Sequence, residues 1–283
     1  MKVTLITHTP EPEKVVACAA KLCYSASDIS SLMDGLTADK VEAFIQKLTD
    51  LGHQSPLEHC TFTFGIEGVS RALSHQLVRH RIASYSQKSQ RYVSEEQFDS
   101  VIPPSIASDE ICGIVFRAFV ESCFKVYQHL IRNGVPAEDA RFVLPNACTT
   151  QIIVTMNIRS LLHFFEERCC NRAQWEIREM ANEMLRICKT VAPNLFAKAG
   201  PSCVRGNCKE GPMCCGHPVK TLPELDEPKM HRDEVEREID ARLHELFSVY
   251  ARGDRDIGED LKLYVEHLSK RGDTNGTQDK HTP

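Results

Sequence analysis

The chain has 283 residues, 42% of them hydrophobic and 26% charged, with a formal net charge of -5 at pH 7. That is ordinary globular composition, long enough for one large core plus an appendage, and its acidic total argues against a general nucleic-acid binder. No stretch approaches the roughly eighteen apolar residues of a membrane span, and the opening MKVTLITHTPEPEK lacks the apolar run of a signal peptide, so a cytoplasmic location and no membrane partner are expected.

The alternation from Val3 to Ile6 predicts a strand, and Glu13 to Leu22 carries a helical period whose apolar face takes in Val16, Ala20 and Cys23. A second helix is predicted over Asp39 to Leu51. The segment GHQSPLEHCTFTFGIEG passes from a polar turn into a strand that sets Phe62, Phe64 and Ile66 on one face. Arg71 to Val78 returns to a helical period.

From Asp109 to Arg132 the spacing of Ile114, Phe116, Phe119, Val120, Phe124, Val126 and Leu130 predicts a long buried helix, stopped at Gly134 and followed by a new start at Pro136. Cys148 to Met156 is β-branched and threonine-rich, a predicted strand, and Asn157 leads into the helix IRSLLHFFEER. After a break around Cys170, the residues Ala173, Ile177, Met180, Met184 and Ile187 recur every three or four positions and mark a core helix to about Thr190. Strands and helices mix without a steady strand-helix repeat, so the predicted fold class is α+β rather than doubly wound α/β.

Past Gly200 the character changes. A Cys/Gly-rich segment runs to Pro218, followed by a proline-punctuated linker, and residues 219–283 hold 11 Lys and Arg against 16 Asp and Glu, which accounts for the whole net charge. Val235, Ile239, Leu243, Leu246 and Tyr250 form the stripe of an amphipathic helix, Ile257 to Leu268 a shorter one, and the tail from 271 reads as disordered. The expected organisation is a domain over 1–200, the Cys/Gly-rich segment 201–218, a charged helical extension 219–270 and a tail 271–283. There is no internal repeat.

The chemistry concentrates in RHRIASYSQKSQRY, residues 79–92. Residues 71–92 contain Arg71, Arg79, Arg81, Lys88 and Arg91 and no acid. Arginine forks with nearby hydroxyls and amides are what phosphate oxygens require, although a basic run also suits a solvated loop. Neither GxGxxG nor GxxxxGK[ST] occurs, so a dinucleotide here has no glycine cradle and needs arginines and hydroxyls instead.

On these residues the chain resembles the flavin-dependent thymidylate synthases. RHR, then seven residues and Ser, is present as Arg79, His80, Arg81 and Ser89, with GHQSPLEH upstream and ARFVLP, NIRSLLHFFEER and AQWEIR downstream, over roughly residues 1 to 200. The resemblance implies a catalytic domain with a helix-flanked mixed or antiparallel sheet, in a homotetramer whose FAD and dUMP sites are shared between subunits. It implies reductive methylation of dUMP to dTMP, with 5,10-methylenetetrahydrofolate as carbon donor and NADPH as reductant of the flavin. By the same resemblance Ser55, Arg79, His80, Arg81, Gln87, Asn157, Arg159 and His163 contact FAD. Gln76, Arg79, Gln87, Ser89, Arg91, Arg141 and Arg168 form the dUMP site, and His53 lies near flavin and folate. Gln87 and His163 stand where many relatives carry Glu and Asn.

On an ideal helix Arg159 and His163 share a face, whereas Arg168, nine residues after Arg159, points about 180° away, so one helix can serve two ligands, or two sites of an oligomer. Leu161, Leu162, Phe164 and Phe165 leave little of that helix for water. Methylation at C5 of uracil builds negative charge on the ring, which a fixed guanidinium stabilises; the resemblance gives that catalytic role to Arg168. Ser89 has no evident base nearby in sequence and is read as a binding hydroxyl, and no cysteine nucleophile is required.

The thirteen cysteines are expected to be mostly reduced. Cys203, Cys208, Cys214, Cys215 and His217 lack the paired C-x2-C spacing of zinc ribbons, so no metal is expected. Cys169 and Cys170 read as apolar fillers. The extension reads as a solvated amphipathic helix docked on the body or on a neighbouring subunit. Two rival readings remain at this point. A non-catalytic nucleotide- or RNA-binding module on residues 71–92 has only Tyr85 and Tyr92 as aromatic platforms, and a zinc-dependent interaction protein would centre on residues 203–217. Neither accounts for the segments between 141 and 178, and no nucleic-acid partner is expected.

Overall fold

The computed structural model describes residues 1–92, 99–206 and 208–219. The chain divides into two compact units, Met1–Leu225 and Asp226–Pro283, and every described residue belongs to the first. The helical extension expected beyond 219 and the tail expected from 271 lie outside the described residues.

Four strands, β1 (Lys2–His8), β2 (Thr61–Ser70), β3 (Ser84–Gln87) and β4 (Thr149–Asn157), form one antiparallel sheet in the order β1-β2-β4-β3. In chain order the helices are α1 (Pro12–Leu22), α2 (Ile29–Asp34), α3 (Ala38–Leu51), α4 (Arg71–Leu77), α5 (Pro104–Ala107), α6 (Glu110–Arg132), α7 (Ala137–Ala140), α8 (Ile158–Arg168), α9 (Trp175–Val191) and α10 (Pro193–Phe196). Helices and sheet are segregated, as the α+β reading requires. None of the helices among the described residues is long and apolar enough to cross a membrane.

The register explains which face of the sheet is buried. Phe62, Phe64 and Ile66 of β2 stand opposite Met156, Val154 and Ile152 of β4, and all six are buried. Their period of two directs them into one core with α1, α3, α4, α8, α9 and α10. Each such side chain, once fully buried, contributes roughly 1.5–3 kcal/mol. Phe196 of α10 meets Phe62 edge-on at 5.7 Å, and Phe165 of α8 meets Phe196 at 6.0 Å, so the core is tied across layers by aromatic contacts. The opposite sheet face is open. There Thr63 and Thr155 share a hydroxyl hydrogen bond of 2.9 Å, and Ile6 and Ile153 are exposed.

Side-chain caps fix where the helices nearest the site begin. Asn157 accepts from Ser160 N–H at the start of α8, and Gln174 accepts from Glu176 and Ile177 N–H at the start of α9. Ser70 caps α4 by accepting from Leu73 N–H at 3.0 Å while its own hydroxyl donates to Glu176 at 2.5 Å. The buried Glu176 carboxylate also accepts from Ser70 N–H at 2.7 Å, so α9 clamps the start of α4 through a satisfied buried charge.

Three expectations need correction. Cys23 is exposed at the C-terminus of α1 instead of sharing its buried face. Residues 84–87, left without an element by their polar composition, pair with β4 as the short edge strand β3; α2 was likewise too short for periodicity to register. The long helix α6 is not buried. Val120 is covered, yet Phe119 is 65% exposed and Val126 48%, with Ile114, Phe116, Phe124 and Leu130 only partly covered. Its neighbours α5 and α7 are single turns, which leave the remainder of the apolar stripe uncovered among the described residues.

Candidate active site

One cleft of about 1260 Å³ opens between the end of α3 with the turn after it, the exit from α4, the outer face of α8, and the segment 195–209. Gly52 ends α3 in the left-handed region at φ 69°, which turns the chain so that His53 and Gln54 enter the cleft wall. Seven Lys and Arg side chains line the cleft against three Glu. That excess, at neutral pH, suits an anionic ligand.

The RHR segment leaves α4 directly into this cleft. Arg79, His80 and Arg81 all line it, and the Arg79 and Arg81 side chains have no hydrogen bond or ion pair among the described residues. Their backbone is nevertheless held. The Tyr85 hydroxyl of β3 shares its proton between the Leu77 carbonyl at 2.9 Å and the His80 carbonyl at 2.8 Å. Burial pushes the Tyr85 phenol up to about 12, so it remains a donor throughout the physiological range.

His80 packs edge-on against Phe164 at 4.9 Å and against His163 at 5.9 Å, and its Nε2 accepts from Arg168 Nε at 2.9 Å. Burial, then the neighbouring Arg168 charge and His163, push the imidazole down to about 4, so it is neutral at pH 7. Arg168 makes no other hydrogen bond and no ion pair among the described residues.

Helix α8 supplies Arg159, His163 and Arg168 to the same cleft. Arg168, expected about 180° from Arg159 around α8, lines the same cleft, which is wide enough to reach both sides of the helix end. Arg159 pairs with Glu58 and donates to Gln54 at 3.2 Å. Asn157 also lines the cleft, but its side-chain oxygen is committed to capping α8, so only its amide N–H2 is available to a ligand.

The other predicted residues lie elsewhere. Ser55 begins the 3-10 turn 55–59 beside the cleft without lining it, and Gln76 is half-buried on α4. Gln87, Ser89, Arg91 and Arg141 gather toward the opposite end of β4. Gln87 donates to the Thr150 hydroxyl at 3.2 Å, Ser89 Oγ accepts from Arg91 N–H, Arg91 pairs with Glu138 of α7 at 2.7 Å, and Arg141 Nε donates to the Glu138 carbonyl at 3.1 Å. Thr150 and Asn157 are seven residues apart on one strand, roughly 23 Å at the rise of a β-strand.

Several cleft residues were not singled out in the sequence. Gln54 and Glu58 sit inside GHQSPLEH, where proximity to Arg159 was the missing signal. Lys198, Arg205 and Lys209 follow the family-like region, and Arg205 and Lys209 both pair with Glu166, whose carboxyl lies below its ordinary range because these cations outweigh its burial.

None of the thirteen cysteines is in a disulfide bond. Burial pushes Cys169 up to about 12 and Cys60 up to about 11, making both poor nucleophiles at neutral pH. Cys203, Cys208, Cys214, Cys215 and His217 line a second cavity of about 190 Å³ together with Cys170, and among the described residues no three such side chains are placed to hold a metal ion.

Fold and cleft together define an α+β chain with a cation-rich cleft beside its sheet. Residues 4–194 match the family model described as thymidylate synthase complementing protein. Similar curated proteins include flavin-dependent thymidylate synthases from Geobacter sulfurreducens, 58% identical over 218 residues (76% of this chain, 94% of that protein), and from Clostridium tetani, 53% identical over 232 residues (76% and 93%). A third, from Pyrococcus furiosus, is 44% identical over 219 residues, covering 74% of this chain and 90% of that protein. The chain belongs to the flavin-dependent thymidylate synthase family and is an enzyme. Membership sets aside the two non-catalytic readings.

Proposed function

We propose that the enzyme reductively methylates dUMP to dTMP, with the cleft holding FAD and the residues around Arg168 and Arg91 holding dUMP. The observation that carries this reading is the meeting, in one large cleft, of Arg79 and Arg81, unpaired among the described residues, and Arg168, held there by a neutral histidine. The cleft fits a diphosphate-bearing cofactor on its own terms, having the volume for one and a surplus of cations toward it. When bound, FAD reduced by NADPH would supply the hydride, and 5,10-methylenetetrahydrofolate the carbon.

The chain's own part is binding and electrostatics. Arg79, Arg81 and the amide of Asn157 would contact the cofactor, with His163 against its ring system and His53 toward the folate. Arg159 would exchange Glu58 for an anionic ligand. Arg168 cannot act as a base near neutral pH, but its two terminal N–H2 groups, uncommitted among the described residues, would stabilise negative charge on the uracil ring. Ser89 would bind through its hydroxyl, since no base contacts it among the described residues, and Arg91, Arg141, Gln76 and Gln87 would complete the dUMP site. Gln87 can hydrogen-bond there but cannot relay a proton.

We further propose that the two groups of residues are joined across subunits of a homotetramer, in a cytoplasmic enzyme. The open sheet face with Ile6 and Ile153 and the uncovered stripe of α6 support assembly, because monomeric proteins seldom leave such apolar surface to water. The separation of the Arg91 group from the cleft supports sharing, since one dUMP is shorter than the strand between them. Purified protein under anaerobic conditions should form dTMP from dUMP, methylenetetrahydrofolate and NADPH only when FAD is present. Absence of product despite bound FAD and dUMP would overturn the assignment, and a monomer by light scattering would overturn the assembly.

A further inference from the structure

We propose that His80 is a positioning residue for Arg168: its neutral Nε2 receives the Arg168 Nε–H and holds the guanidinium with its terminal forks turned outward. The inference rests on the assignment of Arg168 to dUMP made above. Arginine Nε is an obligate donor, so Nε2 must be the unprotonated nitrogen and Nδ1 must carry the hydrogen. The ring is fixed from two directions. Phe164 and Arg168 are four residues apart on α8 and lie one above the other, so a single imidazole packs edge-on against the first and accepts from the second. From the other side, Tyr85 of β3 holds the His80 carbonyl, and His163 borders the ring.

The arrangement differs from an ion pair in a way that suits catalysis. A carboxylate in the position of His80 would neutralise Arg168 and compete with the substrate for it. A neutral acceptor orients the guanidinium and leaves its charge intact. Of the two carboxylates beside Arg168 in sequence, Glu166 is engaged by Arg205 and Lys209, and neither it nor Glu167 pairs with Arg168 among the described residues. The RHR motif therefore has a middle residue facing the substrate arginine while its outer residues face the cleft.

The test uses the FAD-loaded enzyme and compares wild type with His80→Ala, His80→Gln and His80→Asn, reading dUMP affinity by calorimetry, KM and kcat, and FAD content. Loss of one charge-assisted hydrogen bond predicts that His80→Ala weakens dUMP binding and kcat by about tenfold or more at saturating FAD. Gln, whose amide oxygen reaches near the place of Nε2, should recover most of that loss; Asn, one bond shorter, should not. In the Arg168→Ala background, His80→Ala should change dUMP affinity by less than about twofold, because the two act as one unit. Should His80→Ala not fold, the Gln and Asn pair decides the same question. Equal losses in Gln and Asn, or additive losses with Arg168→Ala, or a defect confined to FAD binding, would overturn the inference. If wild type binds dUMP but forms no dTMP, the proposed activity fails while the His80 dependence of dUMP affinity still decides this point.

Discussion

The two arginine groups of this enzyme differ in how their charge is spent. In the cleft Arg79 and Arg81 lack partners among the described residues and Arg168 is held by a neutral imidazole, whereas near α7 Arg91 is bound to the Glu138 carboxylate and Arg141 to a backbone carbonyl. An arginine held by a neutral acceptor, or by none, keeps its field for a ligand. One closed on a carboxylate must first give up that pair, which for exposed groups costs little. The cleft is thus preorganised within one chain, and the second group is ready to exchange partners.

The largest effect expected from this contrast is at Arg168. Arg168→Ala should lower kcat by about a hundredfold to a thousandfold, the range for removing one preorganised charge stabiliser, with the thermal midpoint nearly unchanged. A kcat within tenfold of wild type, measured with FAD and dUMP saturating, would remove Arg168 from the chemistry. Next comes the division of ligands. Arg81→Ala should weaken FAD binding by about tenfold to a hundredfold and Arg91→Ala should weaken dUMP binding instead, as equilibrium titrations of each ligand would report. Loss of FAD affinity in Arg91→Ala equal to that in Arg81→Ala would erase the contrast between the regions.

A smaller effect, felt by both regions together, is expected at Glu176. Glu176→Ala strips the partner from the buried Ser70 N–H and loosens α4, costing about 1–3 kcal/mol in urea unfolding. The smallest is a pH effect. The ordinary imidazole pKa is 6.5 and folding pushes His80 down to about 4, so between these values the unfolded chain holds more protons. Stability at this group is therefore full above pH 6.5, falls as pH drops toward 4, and levels off below. Burial of the ring acts first, and Arg168 and His163 on α8, which face it, act in the same direction. The urea midpoint of His80→Gln should fall less steeply than wild type from pH 6.5 to pH 4.5; parallel slopes would mean that another group titrates there.

Much of this was legible in the residues. Period-two and period-3.6 patterns located β2, β4, α8 and α9 because each buries a regular face within its own chain. The same rule misjudged α6, whose period is as regular but whose stripe is only partly covered among the described residues; periodicity marks an apolar face without naming what packs on it. Short elements such as β3 escaped because four polar residues carry no period, and β3 owes its existence to pairing with β4.

The site divided in the same way. The basic run from Arg79 to Arg91 suggested phosphate chemistry by composition, since fixed forks and hydroxyls are few in kind, while GHQSPLEH entered through the family resemblance. Only the tertiary structure decided that His80 meets Arg168 across 88 positions, that Glu58 and Gln54 hold Arg159, and that Arg91 and Arg141 stand about two strand-halves away from the cleft. The physical reason is range. Periodicity and side-chain chemistry are local properties written along the chain, whereas hydrogen bonds and charge pairing act over about 3–4 Å between segments that only packing brings together.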